Sequence, residues 1–249
     1  MGWLEIVVLV LLALNILTDV YVSIYTRFEA QKELKKKRNQ LNQNSNKSNN
    51  STKMNKSNLP KVIYTSYRMF EQFSYGLMRY RIIMVGKIPS YRIRNFLYRY
   101  VYKMNITSKT KIAGGCEFRS PWNLKADNCI IGLGCILDAR SGITIGNNTV
   151  LGGGVHIWTE EHSVDDPYFR VLDDNAKPVI IKDYVWLGSD STILPGCVIN
   201  EGVIVASRAC VTKDCEDYGI YAGIPAKKIR IRNKKLEYKL EKRPGWWLY

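Results

Sequence analysis

The chain has 249 residues, enough for one sizeable domain with appendages, and a formal charge of +15. The excess sits in one stretch, Arg27 to Lys109, where 19 Lys and Arg face three acids; a basic segment beside an apolar one points to anionic membrane lipids, and no nucleic-acid motif accompanies it, which sets nucleic acid aside as a partner. Six cysteines without a CxxC pair exclude a zinc ribbon and are read as reduced thiols of a cytosolic compartment.

Residues 1–25 read as a transmembrane helix. Ile6 to Leu14 is unbroken apolar sequence, and Gly2 to Tyr25 has the length a membrane helix needs. Positive charge lies behind the span (Arg27, Lys32, Lys35, Lys36, Lys37, Arg38) rather than in front of it, unlike a cleaved signal peptide. The positive-inside rule then puts the N-terminus outside and the rest in the cytoplasm. Asp19 falls one helical turn after Asn15, costly in lipid unless it meets a second copy of the helix or lies near the interface.

Residues 26–58 read as a flexible basic linker rich in Asn and Ser, unable to bury a core. Sequons there, such as Asn50-Ser51-Thr52, are irrelevant in a cytosolic segment. Residues 59–110 read as amphipathic helices lying in the membrane interface. Ser90 stands where a helix cap belongs, and Ile93, Phe96, Leu97, Tyr100 and Val101 share one face, with Arg92, Arg94, Arg99 and Lys103 around it. The plainer alternative is a helix packed on the first coil of the domain that follows.

That domain, residues 111–232, has a period of six. Ile181, Leu187, Ile193, Ile199, Val205 and Val211 follow at six-residue spacing, and Val185, Ser191, Cys197, Val203 and Ala209 lie two before them. Neither a helix face nor a simple strand repeats in six. Hexapeptide repeats do, each forming one flat side of a three-sided parallel β-helix with the aliphatics stacked inside. The rows run upstream through Phe118, Ile131, Leu137, Ile143, Leu151 and Ile157, with slips near Ile130 and Ile143. Gly132, Gly146, Gly152 and Gly188 follow aliphatic positions where a tight corner favours no Cβ. Residues 233–249 form a tail, charged and helix-compatible from Lys234 to Arg243 and apolar at Trp246-Trp247-Leu248-Tyr249.

The two histidines of the chain, His156 and His162, both stand where the repeat breaks after Ile157. A polar excursion from Ser163 to Pro178, with Asp165, Asp166, Asp173 and Asp174, precedes its return at Val179. A long loop leaving a rigid solenoid is commonly functional.

Several segments occur in a fixed order: Gly154-Val155-His156-Ile157-Trp158-Thr159-Glu160-Glu161-His162, Lys177-Pro178-Val179-Ile180-Ile181, Val185-Trp186-Leu187-Gly188-Ser189, Ile193-Leu194-Pro195-Gly196, Val211-Thr212-Lys213-Asp214 and Ala222-Gly223-Ile224-Pro225-Ala226-Lys227. This order resembles the hexapeptide-repeat O-acetyltransferases of the maltose and galactoside type, above all membrane-associated enzymes that acetylate capsular or surface polysaccharides. The resemblance covers about half the chain, Ile112 to Arg232. It implies an all-β, left-handed parallel β-helix, a homotrimer with active sites between subunits, acetyl-CoA as donor without a metal, and a glycan or lipid-linked sugar as acceptor at the bacterial inner (plasma) membrane.

By the same resemblance His162 is the general base, removing the proton of a sugar hydroxyl as it attacks the thioester, and the Ser189 backbone N–H receives the oxyanion. Glu160, Glu161, Asp165 or a carbonyl would orient His162. Trp186, Ser189 and Ala206 are expected along the CoA arm, Thr212 and Lys213 at its nucleotide end, and Lys227 and Arg230 at its phosphates. Asp138, Arg140 and His156 are the acceptor-side candidates. Three rival functions stand beside this one. A γ-class carbonic anhydrase needs three histidines and the chain has two. N-acetylation of a lipid-linked amino sugar would use the same site. A non-catalytic membrane scaffold would not require the CoA motifs.

Overall fold

The structure, a computed structural model, describes residues 3–45, 61–172 and 175–240. It divides into two units, Met1–Arg81 and Ile82–Tyr249.

The first unit holds α1 (Trp3–Ser45) and most of α2 (Lys61–Gly86). Within α1, Ile6–Lys36 is long and apolar enough to cross a membrane. The helix runs 20 residues beyond the expected end of the span, because Glu, Ala, Gln, Lys and Leu dominate residues 29–38 and all favour helix. What remains of the expected linker, with its sequons, lies outside the described residues. Asp19 and Asn15 need no second copy of the helix. Arg81 of α2 donates to Asp19 through Nε at 3.1 Å and to Asn15 through Nη1 at 2.7 Å. Lys32 and Glu71 pair farther along at 3.0 Å. Polar side chains thus meet between the helices, while Leu17, Val20, Ile24, Tyr67, Phe70 and Phe73 are left exposed.

The second unit is a parallel β-helix with three faces. The first face carries β1 (Asn105–Ile106), β4 (Leu124–Ala126), β7 (Ile143–Ile145), β10 (Val179–Ile181) and β13 (Val198–Ile199). On the second lie β2 (Lys111–Ile112), β5 (Ile130–Ile131), β8 (Val150–Leu151), β11 (Trp186–Leu187), β14 (Ile204–Val205) and β16 (Gly219–Ala222). The third holds β3 (Glu117–Arg119), β6 (Ile136–Asp138), β9 (His156–Ile157), β12 (Thr192–Ile193) and β15 (Cys210–Val211). From β1 to β12 every strand pairs with the one three places on, and β14 pairs with β16, so the coil winds five full turns and starts a sixth. β17 (Lys227–Ile231) then turns back antiparallel on β16 and closes that edge.

The six-residue rows are the core. Ile181, Leu187, Ile193, Ile199, Val205 and Val211 are each at most 1 % exposed, and each contributes roughly 1.5–3 kcal/mol of apolar burial. The small row packs with them, and burial pushes the thiols of Cys129 and Cys197 up to about 12 and about 11. These cysteines are free and act as small apolar groups. The corner glycines have a sharper reason than a tight turn. A Cβ on Gly188 would stand 2.5 Å from Ser207 N, and one on Gly152 2.7 Å from Ser189 N, both backbone atoms of the next coil.

The solenoid opens at Asn105, earlier than the expected 111, and α3 (Tyr91–Tyr100) packs over its first coil. Ser90 occupies the N-cap position without a side-chain cap bond. The helix is seated by its cation: Arg94 is 1 % exposed and donates to the carbonyls of Ile88, Pro89 and Ile112. Tyr98 is buried beside it, while Ile93, Phe96 and Tyr100 stay 50–58 % exposed. The helix thus packs on the first coil along one side and leaves apolar side chains exposed on the other. Residues 233–240 are not helical, contrary to expectation. Leu240 N donates to Asn148 Oδ1 and Tyr238 stacks edge-on against Tyr184, which draws the tail along the solenoid. Trp246 to Tyr249 lie outside the described residues.

Gly188→Ala forces two backbones apart. It is expected to cost about 2 kcal/mol and lower Tm by roughly 4–8 °C in a thermal melt.

Candidate functional site

The loop that breaks the repeat leaves the edge between the third and first faces through a narrow neck. Lys177 N donates to Thr159 O at 2.9 Å, Glu161 N to Asn175 O at 3.0 Å, and Glu160 and Ala176 form an antiparallel bridge. His162 stands just beyond that neck and is exposed.

Its Nδ1 lies 2.6 Å from the carbonyl oxygen of Phe169. A carbonyl only accepts, so the hydrogen is assigned to Nδ1, and Nε2 of the neutral ring keeps its lone pair. Nε2 has no hydrogen-bond partner among the described residues. The imidazole thus presents its Nε2 lone pair outward. The carboxylates expected to orient it do not: Glu160 is held by Arg140 at 2.9 Å and by Ser141 at 3.0 Å, and no bond joins Glu161 or Asp165 to the ring. Phe169 was missed because a backbone carbonyl leaves no mark in side-chain identity.

The loop is clipped on itself. Arg170 binds the Asp166 carboxylate through Nη2 at 2.6 Å and Nε at 3.0 Å, and its backbone N donates to the same group at 2.8 Å. These hydrogen bonds hold the Asp166 carboxyl below the usual carboxylate range. A lowered folded pKa means the clip contributes fully above the ordinary value of about 4 and is lost as pH falls through the lowered one.

Beneath the neck lies a charged cluster. Asp138 is completely buried and accepts from Arg140 through Nε at 2.9 Å and Nη2 at 2.6 Å, with Arg119 at 3.5 Å. Its backbone carbonyl accepts from Thr159 at 2.7 Å. The expectation that Asp138 binds a sugar is corrected: its carboxylate is enclosed and spent on two guanidinium groups. Arg119 was missed, although its register partner on the next coil is Asp138, an opposite charge one coil on. It also lies 5.2 Å from the ring centre of Trp158, and His156 meets that ring edge-on at 6.0 Å.

The expected CoA residues fall on two edges. Trp186, half exposed, is on the second face, and Ser189 and Ala206 follow at the edge between the second and third faces. The Ser189 N–H donates to no backbone acceptor among the described residues. Thr212 and Lys213 are exposed on the edge that carries His162. Lys227 and Arg230 are exposed on β17. Through the ladders, Trp186, Ile204, Ile220 and Arg230 share one outward column. An apolar strip ending in a cation suits a pantetheine arm and a phosphate. A single chain does not bring His162 and Ser189 to one edge.

Residues 178–213 match the family described as "Bacterial transferase hexapeptide (six repeats)". The chain is 28% identical to a chloramphenicol acetyltransferase of Klebsiella aerogenes over 172 residues, 65% of this chain and 80% of that protein. It is 30% identical over 143 residues to the putative colanic acid biosynthesis acetyltransferase WcaF of Escherichia coli K12, 57% of this chain and 76% of the relative. Matches to four further acetyltransferases span 34–60% of their length. Among solved structures, the hexapeptide-repeat acetyltransferase VCA0836 of Vibrio cholerae superposes with a TM-score of 0.58 at 21% identity, over 65% of this chain and 92% of that one. That likeness speaks to the fold.

Asp138→Ala removes the buried partner that Arg119 and Arg140 share, leaving them Glu117 and Glu160, and is expected to cost about 2 kcal/mol, read from the denaturant midpoint. A variant of wild-type stability with a raised acceptor KM would restore Asp138 as a direct sugar contact.

Proposed function

The chain belongs to the hexapeptide-repeat acetyltransferases and uses acetyl-CoA as its acetyl donor, and from that premise we propose that it acetylates a hydroxyl of a surface polysaccharide or of its lipid-linked precursor, with His162 as general base. The observation that carries the base is the Phe169 carbonyl on Nδ1, which leaves Nε2 with the lone pair. The polysaccharide reading leans on the colanic acid relative.

Acetyl-CoA, when bound, supplies the thioester carbonyl. The Trp186, Ile204 and Ile220 strip would carry its apolar arm, and Arg230 and Lys227 would meet its phosphates. Nε2 of His162 would take the hydroxyl proton as the acceptor oxygen attacks the thioester carbonyl, and would return it to the CoA sulfur as the C–S bond breaks and CoA leaves as the thiol. The unspent Ser189 N–H is offered to the developing oxyanion. With His162, Thr212 and Lys213 on one edge and Trp186, Ser189 and Ala206 on another, the working unit is a homotrimer whose site forms between neighbouring copies. Arg140 and His156 are the acceptor-side candidates.

The apolar start of α1 anchors the enzyme, and the exposed Ile93, Phe96 and Tyr100 of α3 rest in the interface of an anionic bilayer. The catalytic unit then faces the cytoplasm, where acetyl-CoA is made.

Calorimetry on detergent-purified protein tests the reading, with His162→Ala beside wild type. Both should bind acetyl-CoA, while thioester turnover falls by about 10²-fold or more in the variant; absence of binding in either would overturn the CoA assignment. Deleting residues 1–58 is expected to leave turnover on a soluble sugar and to lower it on a membrane-bound acceptor. Equal losses on both would defeat the role given to the anchor.

A further inference from the structure

We propose that Phe169 is a positioning residue for His162, and that the Asp166–Arg170 clip holds it in the one backbone conformation in which it can do so. The inference rests on the acetyl-transfer reading, with His162 as the base.

Three observations converge on Phe169. Its carbonyl takes the Nδ1 hydrogen at 2.6 Å. Its ring lies parallel to the imidazole, with 4.5 Å between centroids and 2° between planes. Its φ is +48°, a left-handed conformation that a bulky residue adopts rarely and at a cost. Among the described residues, the other non-glycine residues with positive φ lie outside the loop excursion. Phe169 has no coil to impose that conformation, and its ring is not held by burial, since the residue is 59 % exposed.

The clip supplies the missing support. Phe169 N donates to Asp166 O at 2.8 Å, and the Arg170 guanidinium closes the turn from the other side on the Asp166 carboxylate. Ser163 N donates to Arg170 O at 2.8 Å, which ties the turn back to the residue after His162. The clip therefore fixes Phe169, the carbonyl of Phe169 fixes which nitrogen carries the proton, and the ring fixes the imidazole plane. An open clip lets the ring turn or take the Nε2–H tautomer, in which the outward nitrogen has no lone pair to accept a proton.

The test uses the full-length enzyme with acetyl-CoA and a free hexose as acceptor. Phe169→Tyr keeps ring and carbonyl, Phe169→Gly keeps the left-handed carbonyl without the ring, and Phe169→Pro forbids positive φ. The readouts are kcat, the KM for acetyl-CoA, and the His162 tautomer from imidazole nitrogen NMR, which is assignable because the chain has two histidines. Phe169→Tyr should keep the Nδ1–H tautomer. Phe169→Gly should keep the Nδ1–H tautomer and lose kcat about fivefold, and Phe169→Pro should lose the tautomer and about 10²-fold in kcat, both with KM unchanged. Asp166→Ala and Arg170→Ala should each lower kcat about tenfold, and the double variant no further. Wild-type kcat in Phe169→Pro and both clip variants, or lost activity with the Nδ1–H tautomer intact in Phe169→Pro, would overturn the inference. If His162→Ala is dead while those variants are active, this inference alone fails; if His162→Ala is active, the reading beneath it fails as well.

Discussion

Backbone lying directly on backbone is the constraint on which the rest of the second unit depends. Each coil hydrogen-bonds to the coils beside it, as in Trp186 N to Val203 O and Gly188 N to Val205 O. The spacing is so close that Gly152 and Gly188 have no room for a Cβ. It leaves the chain almost no freedom in register, which is why one aliphatic per face recurs so strictly. It also leaves nowhere within the coils for a mobile catalytic group. A side chain that must stand clear of the stack is carried where the chain escapes it, and among the described coils that escape lies between Ile157 and Val179. The escape is built firmly at its root. A buried carboxylate with two guanidinium groups lies under the neck, and Thr159 bonds back to the coil below. Such a cluster is a poor source of net stability but strongly penalises any arrangement that separates its charges.

Much of this was legible in the sequence, for a physical reason. Inward positions in a solenoid are selected by a local and periodic rule, so Ile181 through Val211 announce themselves. The place of His162 at the mouth of the loop was legible because it stands at the break in period. The illegible parts depend on direction rather than identity. Arg94 looked like one cation among several around an apolar helix face, yet it points inward onto three carbonyls and turns Ile93 and Phe96 outward. Asp138 looked available to a sugar, yet the ladder sets it against Arg119 and the chain folds Arg140 back over it. Phe169 gave no signal, because its role runs through a backbone oxygen and a φ of +48°. The end of α1 was misjudged for a simpler reason: polar composition was taken for disorder where Glu, Lys and Gln are good helix formers.

The division of the site between two edges ties fold to assembly. The loop edge carries His162 with Nε2 outward, and the Ser189 edge carries an amide that donates to no backbone acceptor among the described residues. Three copies around a closed axis would set each loop edge against a neighbour's Ser189 edge. In the trimer proposed above, activity would belong to the interface between copies.

Complementation between two dead chains tests that claim most directly. His162→Ala spoils the loop edge, and Ser189→Pro removes the amide hydrogen from the other. Each alone should be inactive. Co-assembled at equal ratio, random mixing in a three-fold ring should restore about a quarter of the wild-type rate, because mixed rings regain one intact interface. Mixtures no more active than their parents would mean that both halves act within one chain, and would contradict the account.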